Sequence, residues 1–460
     1  MKPLEAVKAF FRTQSVRRIF LLALLLRLAI APFTEHRWDL YVARLWGAFM
    51  YNYGLNPFRP EPVVEQLGGN YLNYVYPPVW LGIISLIYPV WLTITHYPFG
   101  ANPTALFLSG LNPDTLRVDN IFEAYRSFPE QQYAYLLPSL DLMLKLPIIA
   151  SDILIGYLLY KLMTRTHPEL AKAVAVLWLF NPYTIHNTAV LGEFDAICTL
   201  FAVAAVYLVA ERRYSLGFGL LALGVGTKIY PIFLLPLLLL FASSRSGIRT
   251  AVKHLLLFMA ATFAIFSVFL FIPHGIDTAI EILWTRASPD WFGQNLVSGL
   301  SWFSVVGVAW EGNIPLFPLF FTPLYIYILA RFRKAEGSTD DLLAFAAATL
   351  LLVYLTYTVV NEQYPYWALP FLLYTTISKN LLRWGYAAFS AIPLLYSLRS
   401  TPLYFLSPAV VWDERSIEPL EALTRWIYPY APALGAMVVV AFASVCVWLL
   451  LLSLKERRTT

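Results

Sequence analysis

The sequence is poor in charged residues. Only 13% of its 460 residues are Asp, Glu, Lys or Arg, whereas 59% are hydrophobic. Soluble domains carry roughly 25% charged residues, so this chain has too few of them to cover a surface that faces water. Apolar stretches of bilayer length recur from residue 18 to residue 454. We therefore expect a single membrane domain over residues 1–460.

Cysteine and histidine are scarce as well. Cys198 and Cys446 both lie inside apolar runs, where a cysteine is usually a small buried hydrophobe rather than half of a disulfide. The six histidines show no HxxxH spacing, and the chain has no CxxC pair. The sequence therefore predicts no metal and no cofactor, although Glu193 and Asp195 leave a divalent metal open as an alternative.

A series of apolar segments fills the chain instead. Because a helix needs about 20 apolar residues to cross a bilayer, we predict about 12 to 14 membrane segments in an all-α bundle. The candidate segments are 18–34, 76–96, 138–161, 171–190, 192–210, 214–229, 231–243, 254–273, 314–331, 341–360, 364–378, 384–398 and 430–454.

Clusters of Lys and Arg give an orientation. They lie before residue 19, at Arg212 and Arg213, at 245–253, at 331–334, at 379–383 and after residue 454. Since positive clusters mark the cytoplasmic ends of membrane helices, we expect both termini to be cytoplasmic. None of the clusters is a basic face interleaved with aromatic residues, so nucleic acid is not an expected partner.

Six polar motifs fall on the side that this orientation makes the outer one. Charged groups at membrane depth are costly and are usually functional or paired, so their common side predicts a site. The motifs are EHRWD (35–39), YVYPP (74–78), GEFD (192–195), TKIYP (227–231), the segment 286–295 and NEQY (361–364).

The motifs suggest separate roles. A carboxylate at the outer mouth, Asp39 or Glu35, could act as general base for a hydroxyl. Lys228 lies in a long apolar run and suits an anionic phosphate, although snorkelling of a long side chain is the simpler alternative. Arg286 could make bidentate phosphate contacts, and the acids Glu193 and Asp195 could hold hydroxyl groups.

Three further charges lie along one predicted helix. Asp141 and Lys145 are four residues apart, and Asp152 follows two turns later. Residues at this spacing are neighbours on a helix surface and can neutralise each other. We therefore predict a structural role for them.

The order of these motifs resembles the GT-C superfamily of membrane glycosyltransferases that use polyprenyl- or dolichyl-phosphate sugars. The nearest patterns are those of the lipid-linked-oligosaccharide glucosyltransferases and of the GPI and prokaryotic mannosyltransferases. The match departs from the glucosyltransferases at Asn361, where they have His, and at Gln363, where they have Lys. Asp39 stands alone, unlike the paired first-loop acids of the protein O-mannosyltransferases.

The resemblance implies a GT-C-like bundle with interfacial helices in its first outer loop. Residues 1–270 would form the catalytic module, and 271–460 would add more variable helices. The implied reaction is an inverting transfer of a hexose, mannose or glucose, from the lipid phosphate to a lipid-linked glycan or glycolipid on the outer face. A prokaryotic plasma membrane fits the composition better than the endoplasmic reticulum.

The resemblance also assigns site residues. Asp39 would be the catalytic base, and the donor phosphate would meet Lys228, Arg286 and Tyr230. The residues implied for the sugar and the acceptor are Tyr76, Glu193, Asp195, Asn295, Glu362 and Gln363. The alternative class is a transporter or lipid flippase, which would show repeats and charges at mid-bilayer depth; the sequence has no repeat of that type.

Overall fold

The computed structural model describes residues 13–36, 39–40, 43–44, 46–47, 76–99, 137–271, 275–277, 279–280, 298–306, 316–335, 337–378, 383–398 and 431–454. The helices are α1 (Val16–Ile30), α2 (Pro78–Phe99), α3 (Leu137–Thr166), α4 (Ala171–Leu179), α5 (Pro182–Ile185), α6 (Asp195–Ala210), α7 (Tyr214–Thr227), α8 (Leu235–Ser246), α9 (Ile248–Phe266), α10 (Phe303–Val306), α11 (Leu316–Lys334), α12 (Thr339–Thr356), α13 (Leu369–Ser378), α14 (Arg383–Leu398) and α15 (Ala431–Ser453).

The predicted all-α membrane fold is confirmed. Every candidate segment overlaps one of these helices, and five helices of the described part are long and apolar enough to cross a membrane. The β structure of the described residues is one parallel pair, β1 (Ser298–Gly299) with β2 (Val359–Val360). Most of the predicted interfacial helices of the first loop lie outside the described residues.

The outside of the bundle is apolar. Leu86 is 72% exposed, Phe263 68% and Met437 69%. In water such surfaces would drive aggregation, whereas a bilayer solvates them. The exposed side chains therefore agree with an integral membrane protein.

The centre of the bundle consists of tightly packed helices. α12 begins with a capping box, in which Ser338 and Asp341 satisfy each other's backbone N–H groups. Its alanine-rich sequence, AFAAAT, is buried, because small side chains allow neighbouring helices to approach closely. α12 packs against α11, α13 and α15, and α3 packs against α4 and α6.

Two helical hairpins place several loops at the same end. α6 and α7 are joined by the short turn at 211–213, and α8 and α9 are joined at Gly247. The start of α6 and the end of α7 therefore meet at one end of the bundle, and the hairpin of α8 and α9 begins after Lys228 at this same end. That end carries the site.

Candidate functional site

A buried ion pair joins the two ends of the first hairpin. Asp195 begins α6 and Lys228 follows α7, so the antiparallel packing of these helices brings them together. The Lys228 ammonium lies 2.9 Å from both carboxylate oxygens of Asp195. Both side chains are buried, and the indole N–H of Trp367 donates a further hydrogen bond to Asp195.

Aromatic rings surround the Lys228 ammonium. Its nitrogen lies 4.6 Å from the ring centre of Tyr364, 5.1 Å from Phe194, 5.3 Å from Trp367 and 5.7 Å from Tyr76. Aromatic faces attract cations, and more strongly where water is excluded. The pocket therefore holds the charge of Lys228 in place even though the residue stands between long apolar helices.

Tyr230 packs against one of the rings that line this pocket. Tyr230 stacks on Trp367 with the ring centres 4.1 Å apart, and its hydroxyl pairs with Thr199 at 2.9 Å. Tyr230, which the sequence predicted to bind the donor phosphate, thus packs against Trp367 of the pocket. Its hydroxyl already has a hydrogen-bond partner inside the protein.

A second cluster lies beside the pocket and contains two acids and a histidine. His36 Nδ1 lies 2.6 Å from Asp39 Oδ2 and 3.9 Å from Glu193 Oε1. The Asp39 side chain is 27% exposed, whereas that of Glu193 is 2% exposed. Asp39 is therefore the acid of this cluster that can meet a ligand from outside.

Charge and burial push the pKa values of the two acids apart. Burial opposes ionisation of Asp39, but the attraction of His36 and its hydrogen bond outweigh burial and lower the Asp39 pKa to about 2. Burial raises the pKa of Glu193 well above its ordinary value, and the neighbouring Asp39 carboxylate raises it further. Glu193 is therefore much harder to ionise than Asp39.

The pKa of His36 responds to the same neighbours. Burial lowers it, but Asp39 outweighs that effect, and Glu362 and Glu35 add to it, so the pKa lies above 6.5. Because the charge of Glu362 acts on the pKa of His36, the predicted NEQY motif lies near this cluster. His36 was missed as a site residue by sequence reasoning, although it stands three residues before Asp39.

The same three side chains could hold a metal ion. The ligand atoms of His36, Asp39 and Glu193 all lie within 4.8 Å of one another, and one imidazole with two carboxylates is a set that divalent transition metals accept. The expected absence of a metal stays a prediction.

A turn with unusual backbone geometry carries Glu193. α5 continues into a single π-helical stretch, His186–Leu191, and Gly192 follows with φ +77°. A positive φ favours glycine, because any Cβ is crowded there. π-Helical turns often mark functional sites. In this π-helical stretch the side-chain amide of Asn187 is buried and has no hydrogen-bond partner within the described residues.

The structure brings most of the predicted site residues together. Gln363 is buried and stands just before Tyr364 of the pocket. The backbone carbonyl of Glu362 accepts a hydrogen bond of 2.6 Å from Tyr183. Arg286 and Asn295 lie outside the described residues, so their roles stay predictions.

Asp141 and Lys145 form no direct ion pair in the described part of the chain, and their predicted structural role stays a prediction. Asp141 binds Arg44, with Nε at 2.8 Å, and Lys145 binds backbone carbonyl groups. Asp152 pairs with Arg27 at 2.6 Å. Neighbouring segments supply partners of better geometry than the i, i+4 contact along α3, and a sequence does not show those segments side by side.

Comparisons with known proteins agree with this architecture. A family model described as GPI transamidase subunit PIG-U matches residues 131–294, less than half of the chain. GPI mannosyltransferase 1 of Emericella nidulans is 38% identical over 84 residues, 18% of this chain and 19% of that protein. A Dolichyl-P-Man:Man5GlcNAc2-PP-dolichol alpha-1,3-mannosyltransferase of Drosophila melanogaster is 36% identical over 83 residues, 18% of this chain and 16% of that protein.

These matches are local. They span less than a fifth of the length of these two relatives. The relatives come from a fungus and a fly, and they give no support to the predicted prokaryotic plasma membrane.

Fold and site together define a polytopic helical membrane protein with acids, a buried lysine and aromatic rings at one end of its bundle. The matches fit the GT-C superfamily of polyprenyl-phosphate-sugar-dependent glycosyltransferases, so the resemblance drawn from the motifs is confirmed.

Proposed function

We propose that the protein is an inverting glycosyltransferase. It transfers a hexose from a polyprenyl- or dolichyl-phosphate sugar to a lipid-linked glycan or glycolipid on the outer face of its membrane. The mannosyltransferase names of its relatives favour mannose over glucose. The proposal rests on two neighbouring clusters. One contains the ionised, partly exposed acid Asp39, and the other contains the Lys228 ammonium surrounded by aromatic rings.

Exposure and charge favour Asp39 as the catalytic base. Asp195 is fully buried and uses both oxygens on Lys228, and the side chain of Glu193 is only 2% exposed. A base must reach the hydroxyl from which it takes a proton. Asp39 alone among these three acids combines a negative charge with access from outside.

The proposed reaction follows from this arrangement. The acceptor hydroxyl donates a hydrogen bond to Asp39, and its oxygen attacks the anomeric carbon from the face opposite the lipid phosphate. The hydroxyl becomes strongly acidic as the new bond forms, so its proton passes to Asp39 even though the pKa of this acid is low. The sugar–phosphate bond breaks, and the phosphate leaves with the electron pair.

Lys228 is proposed to stabilise the leaving phosphate. An ammonium has three N–H donors, and Asp195 accepts two of them. One donor remains for a phosphate oxygen. In a pocket from which aromatic rings exclude water, a charge fixed before the reaction stabilises developing negative charge without reorganisation.

A transfer assay tests the proposal. Purified protein in liposomes is incubated with radiolabelled dolichyl-phosphate mannose or glucose and with a panel of lipid-linked glycan acceptors. We expect label to move to a glycolipid product with an α linkage from a β-linked donor. Movement of the donor across the bilayer with no product would instead support a flippase.

The base is tested with Asp39→Asn, which keeps the size of the side chain but cannot take a proton. We expect transfer to fall roughly a hundredfold or more, the usual contribution of a general base, with donor affinity near that of the wild type. For Glu35→Gln we expect a milder loss, because Glu35 is buried against Arg44 and cannot meet the acceptor hydroxyl. Near-normal turnover by Asp39→Asn would contradict the assignment.

One observation favours a second candidate. The family model that matches residues 131–294 describes a subunit of GPI transamidase, so the chain could instead bind a glycolipid within a larger assembly without acting on it. Copurification of stoichiometric partner proteins, together with no transfer from any donor, would support this role.

A further inference from the structure

Lys145 is a fully buried cation that binds two segments at once. Its ammonium donates to the carbonyl groups of Ala31, at 3.1 Å, and of Thr34 after the end of α1. It also donates to Ala189 at 2.9 Å and Val190 at 3.0 Å, near the end of the π-helical stretch. Helix ends leave carbonyl groups without partners and carry partial negative charge. One ammonium on α3 therefore satisfies both chain segments.

Each of these segments leads directly into a site acid. The first continues to Asp39 and the second to Glu193, and carboxylate oxygens of these two acids lie within 4.8 Å of each other. The segments also touch each other, because the Thr34 hydroxyl lies 3.0 Å from the carbonyl oxygen of Ala189. The position of Lys145 thus determines how the two acid-bearing segments meet.

A second cation holds the other side of the first segment. Arg44 binds both Glu35 and Asp141, and Asp141 stands one turn before Lys145 on α3. Glu35 precedes Asp39 and Arg44 follows it. The chain on either side of Asp39 is therefore fixed to the same helix, α3, which packs against α4 and α6.

We propose that Lys145 is a positioning residue that sets the separation of Asp39 and Glu193. It does so through backbone carbonyl groups and touches no reacting atom. The kinetic part of this inference rests on the proposed function, because the separation of Asp39 and Glu193 affects the rate only if Asp39 acts as the base. The placement of the two segments can be measured without any activity.

The test compares two changes on α3 that each remove one buried charge. Lys145→Met keeps the length of the side chain and removes the ammonium. Asp152→Asn is the matched control, since Asp152 pairs with Arg27 and Tyr366 and contacts neither segment. We expect both variants to be less stable than the wild type.

The two variants should differ in kcat and in hydrogen exchange. For Lys145→Met we expect kcat per folded molecule to fall on the order of tenfold to a hundredfold, as for a misplaced catalytic group, with an unchanged KM for the donor. Hydrogen exchange should become faster at 31–36 and 187–193. Asp152→Asn should change neither kcat nor exchange in these segments.

A milder variant keeps the test decisive if Lys145→Met does not fold. Thr34→Val removes only the hydroxyl between the two segments, and we expect kcat to fall on the order of threefold, the effect of one neutral hydrogen bond. Unchanged kcat and unchanged exchange in folded Lys145→Met would overturn the proposal. If Lys145→Met does not fold, the same result for Thr34→Val would overturn it. Faster exchange in a protein whose wild type transfers no sugar would instead support the positioning role and reject the proposed reaction.

Discussion

The charge of Lys228 has a partner before any substrate arrives. Asp195 neutralises it, and four rings surround it. A phosphate would therefore meet an ion pair with one N–H donor that no described residue accepts. This arrangement favours modest binding of the donor in the ground state and stronger interaction as charge moves to the leaving oxygen.

Lys228→Ala should weaken donor binding. Losing one hydrogen bond to a charged group costs on the order of 1.5–3 kcal/mol, so we expect donor affinity to fall about ten- to a hundredfold, measured by equilibrium binding of labelled donor lipid. Lys161→Ala is the control, because Lys161 also lies over a ring, Tyr157 at 5.7 Å, but on α3 near the opposite end of the bundle. Equal donor affinity in the two variants would remove Lys228 from the phosphate site.

The influence of His36 on Asp39 predicts a dependence on pH. His36 lowers the pKa of Asp39 to about 2, so Asp39 stays ionised between pH 4 and 8 and the wild-type transfer rate should show no Asp39 titration there. His36→Gln removes the cation while burial remains. The pKa of Asp39 should then rise, because the effect of burial stays and the largest lowering effect is gone.

The measurement is kcat/KM from pH 4 to pH 8 for both proteins. We expect the rate of His36→Gln to decline as the pH falls towards 4, because protonated Asp39 cannot act as a base. Parallel profiles for the two proteins would show that His36 does not control this acid.

Residue types and their common side were enough to predict much of the site from the sequence. Asp39, Glu193, Asp195 and Lys228 gather as expected. Trp367 could not be predicted as the second partner of Asp195, because a tryptophan in an apolar segment has the pattern of an ordinary core residue.

The helices were the most predictable elements, because long apolar runs have few alternatives in a bilayer. The interruptions were less predictable. Segment 171–190 is one apolar run in the sequence, but it forms α4, α5 and a π-helical stretch. α4 ends at Leu179 and Asn181 caps α5, and the hydrophobicity of the run does not indicate this change of direction.

The turn at Gly192 should be intolerant of any side chain. Its φ is +77°, and a Cβ at this position would lie 2.8 Å from Cε of Lys145. We expect Gly192→Ala to lower the free energy of unfolding by at least about 1–2 kcal/mol, the cost of a left-handed backbone for a residue with a Cβ, and to reduce transfer as well.

The measurement is the thermal unfolding temperature in detergent, together with the transfer rate per folded molecule. Gly219→Ala is the control, because a Cβ there meets nothing within 4 Å, and we expect no loss of stability. A Gly192→Ala protein as stable as the wild type would mean that the turn adopts another conformation.

The whole bundle gathers its polar chemistry at one end. The antiparallel hairpins place Asp195, Lys228 and the start of the α8–α9 hairpin together, while the basic turn at Arg212 and Arg213 lies at the opposite end of α6 and α7. From the positive-inside rule we expect that basic end to be cytoplasmic. The site would then face outwards, as an outer-face transfer requires.

Labelling of single cysteines tests this orientation. In a background without Cys198 and Cys446, which are both buried, one cysteine replaces Phe271 and another, in a separate protein, replaces Arg213. Both positions are exposed, and they lie at opposite ends of the bundle. With a thiol reagent that does not cross membranes, we expect Phe271→Cys to react in intact cells and Arg213→Cys to react only after permeabilisation. The reverse result would place the basic turns outside and the Asp39 site in the cytoplasm, and it would exclude transfer on the outer face even if the enzyme is active in detergent.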